Sequence, residues 1–244
     1  MKGISPIIPP VILAFETSGK CGSVALVSDG LCIGEYSLNS KFTHSRRLLN
    51  GIERLMSDAE IGWNQIDALA VSSGPGSFTG LRIGLSTAKG LAMATGKVLI
   101  GVPTLDGLAS QFTCMDSLIC PILDARKKEV YAALYRIGNK GRIDRISEYM
   151  VIRPEMLAEK IVEKTVVAGE GAALYGDILK EAANGLVTIA LPEIHFARAA
   201  STGMVGIRKW KAKEFLDPAA AVPIYVRPSD AELHFSNRSE GVPY

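Results

Sequence analysis

Apolar residues follow two alternating patterns along the chain. Short unbroken apolar runs, such as 11–15, are typical of strands that are buried on both faces of a sheet. Other segments carry apolar residues three and four positions apart, as Leu48, Ile52 and Leu55 do, and this spacing predicts amphipathic helices. The predicted strands are 11–15, 22–27, 31–38, 66–71, 98–102, 118–123, 130–136, 142–151, 166–168 and 186–190. The predicted helices are 43–59, 78–95, 154–163, 172–183, 196–211 and one that begins at 104.

The second and third strands form a predicted hairpin. Asp29-Gly30 stands between them and is a strong signal for a two-residue turn. In the register that this turn sets, Val27 lies opposite Cys32. Cys21 and Cys32 are therefore not expected to be cross-strand partners.

The order of elements is the same in both halves of the chain: three strands, then helix, strand, helix, strand, helix. No residue-level repeat accompanies this order. It matches the ribonuclease-H-like module that is doubled in the actin, Hsp70 and sugar-kinase superfamily, so we predict an α/β fold with a mixed five-stranded sheet in each lobe. A single doubly wound sheet is the competing architecture, which the early hairpin disfavours because a Rossmann order begins strand, helix, strand. The predicted lobes are 1–105 and 106–227, and a polar tail follows at 228–244.

The composition indicates an ordinary soluble protein. Of the 244 residues, 48% are hydrophobic and 21% are charged, with a formal net charge of +2. Basic residues form only short clusters, at 46–47, 126–128 and 208–213, so RNA contact by this chain alone is expected to be weak. Four cysteines without zinc-ligand spacing favour a reduced, cytoplasmic compartment. No apolar run is long enough to predict a membrane span.

The segment 73–84 (SGPGSFTGLRIG) is the most informative local pattern. Gly-Pro-Gly ends the preceding strand because Pro75 lacks an N–H, and Ser77 is the predicted N-cap of a helix that begins at Phe78. Unpaired N–H groups at such a helix start suit a phosphate. The spacing is neither that of a Walker A motif nor that of a dinucleotide fingerprint. We therefore favour a tight turn with close helix packing, and weak nucleotide contact is the alternative.

Five ordered motifs resemble the TsaB (YeaZ) family. They are 12–18 (ILAFETS), 44–49 (HSRRLL), 74–84, 124–135 (DARKKEVYAALY) and 223–227 (PIYVR). The resemblance implies an accessory subunit of the complex that attaches the threonylcarbamoyl group to adenosine 37 of ANN-decoding tRNAs. It implies binding and activation of the catalytic paralogue TsaD (Gcp, of the glycoprotease family), help in recruiting the ATPase TsaE, indirect contact with tRNA, and a homodimer when TsaD is absent. No cofactor is implied for this chain, whereas the wider complex uses ATP and Mg²⁺.

Two features decide between TsaB and its paralogue. Glu16 stands where many TsaB members have Asp, and Glu-Thr-Ser is typical of TsaD. However, TsaD carries a His-x-x-x-His metal pair at the position of 102–108, where this chain has no histidine, and the chain is also shorter than TsaD. The resemblance therefore implies no metal site, no catalytic residue and no activity of the chain alone.

The candidate site residues fall into two groups. Small and apolar residues on second faces of the helices at 43–59 and 78–95 are the predicted contacts to a partner: His44, Ser45, Leu48, Leu49, Ile52, Leu81, Gly84, Leu85, Ala88 and Leu91. The candidate nucleotide-binding residues are Glu16, Gly74, Gly76, Ser77, Thr79, Gly80 and Asp124.

Two other functions remain open at this point. An independent ATPase or kinase of the same superfamily would use Glu16 and Asp124 to hold metal-bound phosphate, although an Asp124–Arg126 pair on a turn is more often structural. A metallopeptidase has less support, because the sequence contains neither a metal-ligand cluster nor a nucleophile motif.

Overall fold

A mixed five-stranded sheet forms the first lobe, in the order β3-β2-β1-β4-β5. The computed structural model describes residues 9–39, 44–112, 115–138 and 142–227; the predicted turn at 139–141 and the tail at 228–244 lie outside them. The strands are β1 (Val11–Glu16), β2 (Cys21–Ser28), β3 (Leu31–Asn39), β4 (Ala68–Gly74) and β5 (Val98–Pro103). The helices that follow β3 and β4 are α1 (His44–Asp58) and α2 (Phe78–Thr95).

The hairpin and the covered faces of this sheet follow from the sequence pattern. Val27 pairs with Cys32, as the turn predicts, and Cys21 and Cys32 are free thiols. Side chains alternate across β1, so Leu13 and Phe15 join the core beneath α1 and α2, whereas Ile12 and Ala14 face the other way. Both faces of β1 are therefore buried, which explains its unbroken apolar run.

The second lobe contains a seven-stranded sheet, whose main path β10-β7-β6-β11-β12 has the predicted five strands. β8 and β9 lie off this path, with β8 paired to β6 and β9. The strands are β6 (Leu118–Asp124), β7 (Val130–Ala132), β8 (Tyr135–Ile137), β9 (Ile143–Arg145), β10 (Met150–Ile152), β11 (Thr165–Ala168) and β12 (Val187–Ile189). The helices are α3 (Thr104–Ala109), α4 (Pro154–Glu159), α5 (Ala172–Ala182) and α6 (Ala199–Lys211).

The prediction of one strand at 130–136 is wrong. The strand breaks at Leu134, whose N–H donates to Ser147 Oγ at 2.8 Å and whose carbonyl accepts from Ile146 N at 2.8 Å. Because these bonds use the backbone groups of Leu134, the ladder with β6 is interrupted between Ala132 and Tyr135, so β7 and β8 are separate strands. The strand predicted at 142–151 is likewise divided, into β9 and β10. Helix α4 ends at Glu159, four residues earlier than predicted. Ile161 N donates to Ala158 O at 3.1 Å, which forms a tighter turn after the helix.

Helix α6 returns from the second lobe to the first sheet. Its residues Ala199, Val205 and Ile207 share a core with Ile12 and Ala14 of β1. The predicted boundary at 105/106 falls within α3, between the last strand of the first sheet and the first strand of the second. It stays a prediction, because the last helix packs on the first sheet. None of the helices in the described ranges is long and apolar enough to cross a membrane.

Two glycines allow α6 to lie this close to the sheet. A Cβ at Gly203 would lie 2.6 Å from Val27 Cγ2 and 3.2 Å from Ala14 Cβ. A Cβ at Gly206 would lie 2.9 Å from Ala70 Cβ. The distances of 2.6 Å at Gly203 and 2.9 Å at Gly206 are too short for well-packed side chains, so any larger residue must lift the helix from the sheet.

The same substitution should therefore have opposite effects at two helical glycines. We expect Gly203→Ala to lower the free energy of unfolding by about 1–3 kcal/mol, because the added methyl overpacks the sheet. Gly90→Ala in α2 should raise it by about 0.5–1 kcal/mol, because no atom lies within 4 Å of a Cβ there and Ala favours the helix. Urea unfolding measures both values, and a stabilising Gly203→Ala would contradict the close packing.

Candidate functional site

The glycine-rich turn brings α2 into direct contact with the segment that follows β1. Ser77 caps the helix as predicted, with its Oγ accepting from Gly80 N at 3.3 Å. A Cβ at Gly80 would clash with the carbonyl oxygen of Thr17, and one at Gly84 would clash with Thr17 Oγ1. The Thr17 hydroxyl donates to Gly80 O at 2.8 Å. These contacts support the close-packing interpretation of the turn.

The residues 223–227, which we name the strap, lie against the same turn. Ile224 N donates to Ser73 O at 2.7 Å, and Gly74 (φ +108°) leaves no room for a side chain, because a Cβ would lie 2.7 Å from Ile224 O. The Tyr225 ring packs on Phe78 at 5.5 Å between centroids. The chain itself therefore covers this side of the turn.

The end of the strap reaches the second lobe. Arg227 forms an ion pair with Glu129 and donates to the Ala125 carbonyl at 3.1 Å. The strap thus links the turn of the first lobe to the β6–β7 connection of the second lobe. The nucleotide-binding role of Gly74, Gly76, Ser77, Thr79 and Gly80 stays a prediction.

The two predicted acids make hydrogen bonds inside the protein. Glu16 is 1% exposed, and it accepts from Ser18 N at 2.7 Å and from the Thr202 hydroxyl of α6 at 3.3 Å. Burial raises the pKa of this carboxyl above its ordinary value, and the hydrogen bonds oppose the rise. Asp124 accepts from Arg126 N at 2.9 Å and forms an ion pair with the Arg126 guanidinium at 3.4 Å. In the described parts of the chain, no three His, Cys, Asp or Glu residues are grouped to hold a metal ion.

Several predicted partner contacts are instead core residues. The side chains of Leu48, Ile52, Leu81, Leu85 and Ala88 are at most 5% exposed and pack beneath α1 and α2. Leu48, Leu81, Leu85 and Ala88 face their own sheet, and a side chain at Gly84 would clash with Thr17. Ile52 is also buried, but it lines the floor of the groove described next. The side chains of His44 and Ser45 lie outside the described residues.

A groove between α1 and α2 holds the predicted contacts that remain at the surface. Leu49 is 54% exposed and Leu91 is half-buried. Together with Trp63 they line a volume of about 350 Å³, whose other lining residues are Ile52, Glu53 and Met56. Sequence reasoning missed Glu53, Met56 and Trp63 as lining residues. Helical periodicity shows which face of a helix is apolar, but it does not show where a groove opens between two helices.

A second surface feature is a turn of three exposed basic residues. Arg126, Lys127 and Lys128 have φ values of +63°, +53° and +61°. In the described ranges they are the one run of consecutive non-glycine residues with positive φ. This conformation costs about 1–2 kcal/mol per residue for ordinary side chains. The sequence contains no Gly or Asn here that would have predicted it.

The chain matches known proteins over most of its length. A family model described as TsaD, tRNA N6-adenosine threonylcarbamoyltransferase, matches residues 38–235. The tRNA threonylcarbamoyladenosine biosynthesis protein TsaB of Bacillus subtilis is 30% identical over 224 residues, 91% of this chain and 96% of that protein. Escherichia coli TsaB is 33% identical over 181 residues, 72% of this chain and 77% of that protein.

The chain belongs to the TsaB family.

A solved structure agrees with this assignment. YeaZ from Pseudomonas aeruginosa superposes with a TM-score of 0.74 and 25% identity, covering 89% of this chain and all of that one. The two-lobed α/β fold with one sheet in each lobe, which the element order predicts, is confirmed. As a TsaB-family protein, the chain has its role in tRNA threonylcarbamoyladenosine biosynthesis. The resemblance of the five motifs is confirmed as well.

The buried Glu16 predicts a distinctive pH dependence for this TsaB-family chain. A carboxyl whose pKa is raised by folding ionises first in the unfolded chain, so its contribution to stability is lost as the pH rises from about 4.5 through the folded-state pKa. Glu16→Gln has no charge, and its amide can still accept from Ser18 N and donate to Thr202 Oγ1. Relative to wild type, the variant should therefore gain free energy of unfolding as the pH rises above about 4.5. Parallel curves for the two proteins in urea unfolding would contradict an ionisable, desolvated Glu16.

Proposed function

We propose that the chain is an accessory subunit that performs no reaction alone and binds a TsaD-type catalytic subunit through the groove between α1 and α2. Docking there stabilises the active conformation of that subunit and builds a shared surface that helps to recruit the TsaE-type ATPase. The observation that carries this proposal is the exposed apolar groove beside an unexplained glycine, Gly90. In the absence of the catalytic subunit, a second copy of the chain uses the same groove.

The groove has the size and lining of a site for a partner helix. Its volume of about 350 Å³ and its side chains Leu49, Trp63 and Leu91 suit the apolar face of an amphipathic helix. Glu53 gives the rim one charged residue, which is typical of a polar edge around an apolar centre. Met93 of α2 is 73% exposed and extends the apolar surface of this helix.

Gly90 adds an independent argument for close approach of a partner. The other α2 glycines within the buried face, Gly80 and Gly84, are explained by Thr17. Gly90 is exposed, and no atom of another element lies within 4 Å of a Cβ built on it. An interior helical glycine costs about 1 kcal/mol relative to alanine. No contact among the described residues offsets this cost, but a partner that packs against the α2 backbone would.

The contacts of the acids support an accessory role over independent phosphoryl transfer. Glu16 is buried under hydrogen bonds to Ser18 and Thr202, and Asp124 is paired with Arg126. The strap lies on the turn where a phosphate would bind. An ATPase or kinase would have to displace these internal partners before it could use either acid, and no contact in the described residues favours a peptidase.

Substitutions on the groove test this proposal against a matched surface change. We expect Leu49→Glu, which places a charge in the groove, and Gly90→Arg, which adds bulk to the exposed side of α2, each to weaken binding to the TsaD-type protein of the same organism by at least about tenfold. Leu174→Glu changes an equally exposed leucine on α5 of the second lobe and serves as the control. Titration calorimetry gives the affinities, and thermal melting confirms that each variant is folded.

Two results would overturn the docking assignment. The first is wild-type affinity for both groove variants. The second is an equal loss for Leu174→Glu, which would place the contact elsewhere or spread it over the surface. ATP hydrolysis by the isolated wild-type chain that is abolished by Asp124→Ala would replace the accessory role with an enzymatic one.

A further inference from the structure

The turn of three basic residues, which we name the basic turn (125–129), is closed by its own backbone hydrogen bonds and has a strained backbone. Ala125 N donates to Glu129 O and Glu129 N donates to Arg126 O, both at 2.9 Å. These two bonds close the connection between β6 and β7 on itself. The side chains of Arg126, Lys127 and Lys128 are exposed, so the turn displays three consecutive basic side chains at the surface.

The nearby acids are already neutralised by other contacts. Asp124 is paired with Arg126, and Glu129 is paired with Arg227 of the strap. Arg227 also donates to the Ala125 carbonyl, so the strap holds the turn from the side of the first lobe. Each of these two acids is thus matched by an arginine, and Lys128, whose side chain is exposed, adds a positive charge to the outer surface of the turn.

The backbone conformation of the turn is unfavourable for the residues that occupy it. Positive φ suits glycine, and replacing a strained residue by glycine at such a position normally costs nothing in steric terms. The chain instead has Arg126, Lys127 and Lys128 there. A strained backbone conformation persists only where the surrounding structure holds it in place, and such conformations cluster at functional sites. A requirement for the three basic side chains explains why the strain is kept.

We propose that the basic turn binds the phosphate backbone of RNA directly. Closely spaced Arg and Lys side chains match the closely spaced charges of a nucleic acid, and such contacts position a protein without reading sequence. RNA is the polyanion of choice because the chain belongs to a family of tRNA-modification proteins. The proposal rests on that assignment and does not depend on the α1–α2 groove. It replaces the sequence-based expectation that this chain meets tRNA only indirectly.

Two lysines with the same backbone conformation provide a matched test. Lys128 (φ +61°) belongs to the basic turn, and Lys213 (φ +59°) is an exposed lysine after α6. Lys128→Gly and Lys213→Gly both relieve positive-φ strain, so both should raise the melting temperature of the full-length chain. Only Lys128→Gly removes a proposed phosphate contact, so only this variant should lose RNA affinity while it gains stability.

Binding of an unmodified tRNA transcript, measured by fluorescence anisotropy from about 50 to about 200 mM KCl, gives the affinity and its salt dependence. For Lys128→Gly we expect binding about threefold to tenfold weaker, with the slope of log K against log salt smaller by about one. Arg126→Ala combined with Lys128→Ala should reduce the slope by about two. Lys213→Gly should retain both the wild-type affinity and the wild-type slope.

Three outcomes would overturn the proposal. The first is no tRNA binding by the wild-type chain up to about 100 μM, which is the weak limit of non-specific association. The second is an unchanged affinity and slope for Lys128→Gly. The third is a loss of binding to the TsaD-type protein with RNA binding intact, which would make the basic turn a contact for an acidic protein surface. Leu49→Glu should keep tRNA binding, so failure of the groove and failure of the basic turn are distinguishable.

Discussion

The contact between α2 and the segment after β1 is the constraint on which the rest of the structure depends. Gly80 and Gly84 let the helix backbone touch Thr17, and the Thr17 hydroxyl binds the first turn of the helix. This fixes the position of α2 on the sheet. It also fixes which of its residues face the core and which face α1, and hence the position of the groove. Gly80 and Gly84 therefore serve this packing, within the motif that most resembles a phosphate loop.

The two lobes are held together by elements that cross between them. Helix α6 returns to the first sheet, and α3 joins the second lobe, where Asp106 Oδ1 accepts from the hydroxyls of Tyr135 and Tyr149 at 2.7 Å. The strap then passes from the glycine-rich turn to Glu129. These contacts join the first lobe to the second, and the groove and the basic turn are exposed at the surface.

Local sequence signals predict the fold well at positions where the residue type permits few backbone conformations. Ser77 and the preceding Gly-Pro-Gly gave the bounds of α2, and Asp29-Gly30 gave the hairpin register. The break at Leu134 could not be predicted, because it depends on hydrogen bonds to Ile146 and to Ser147, which are distant in sequence. Contacts with these residues determine where the strand breaks, and the periodicity of the sequence does not show such contacts.

The binding surfaces were predicted only in part, for two physical reasons. Helical spacing identifies apolar stripes but does not say which stripe meets the protein's own sheet, so Leu81 and Leu85 were assigned to a partner although they are core residues. Leu49 and Leu91 lie at the surface, but Trp63 lines the same groove from a different part of the chain. The basic turn has an ordinary composition, and its positive φ values arise from its closure between β6 and β7.

Hydrogen–deuterium exchange of the chain with and without the TsaD-type protein of the same organism tests the central claim most directly. The account predicts slower exchange in the peptides that contain Leu49, Trp63 and Gly90, with no change at 172–182 on the far lobe. Unchanged exchange across the groove in a complex that has formed, or protection confined to the second lobe, would contradict it.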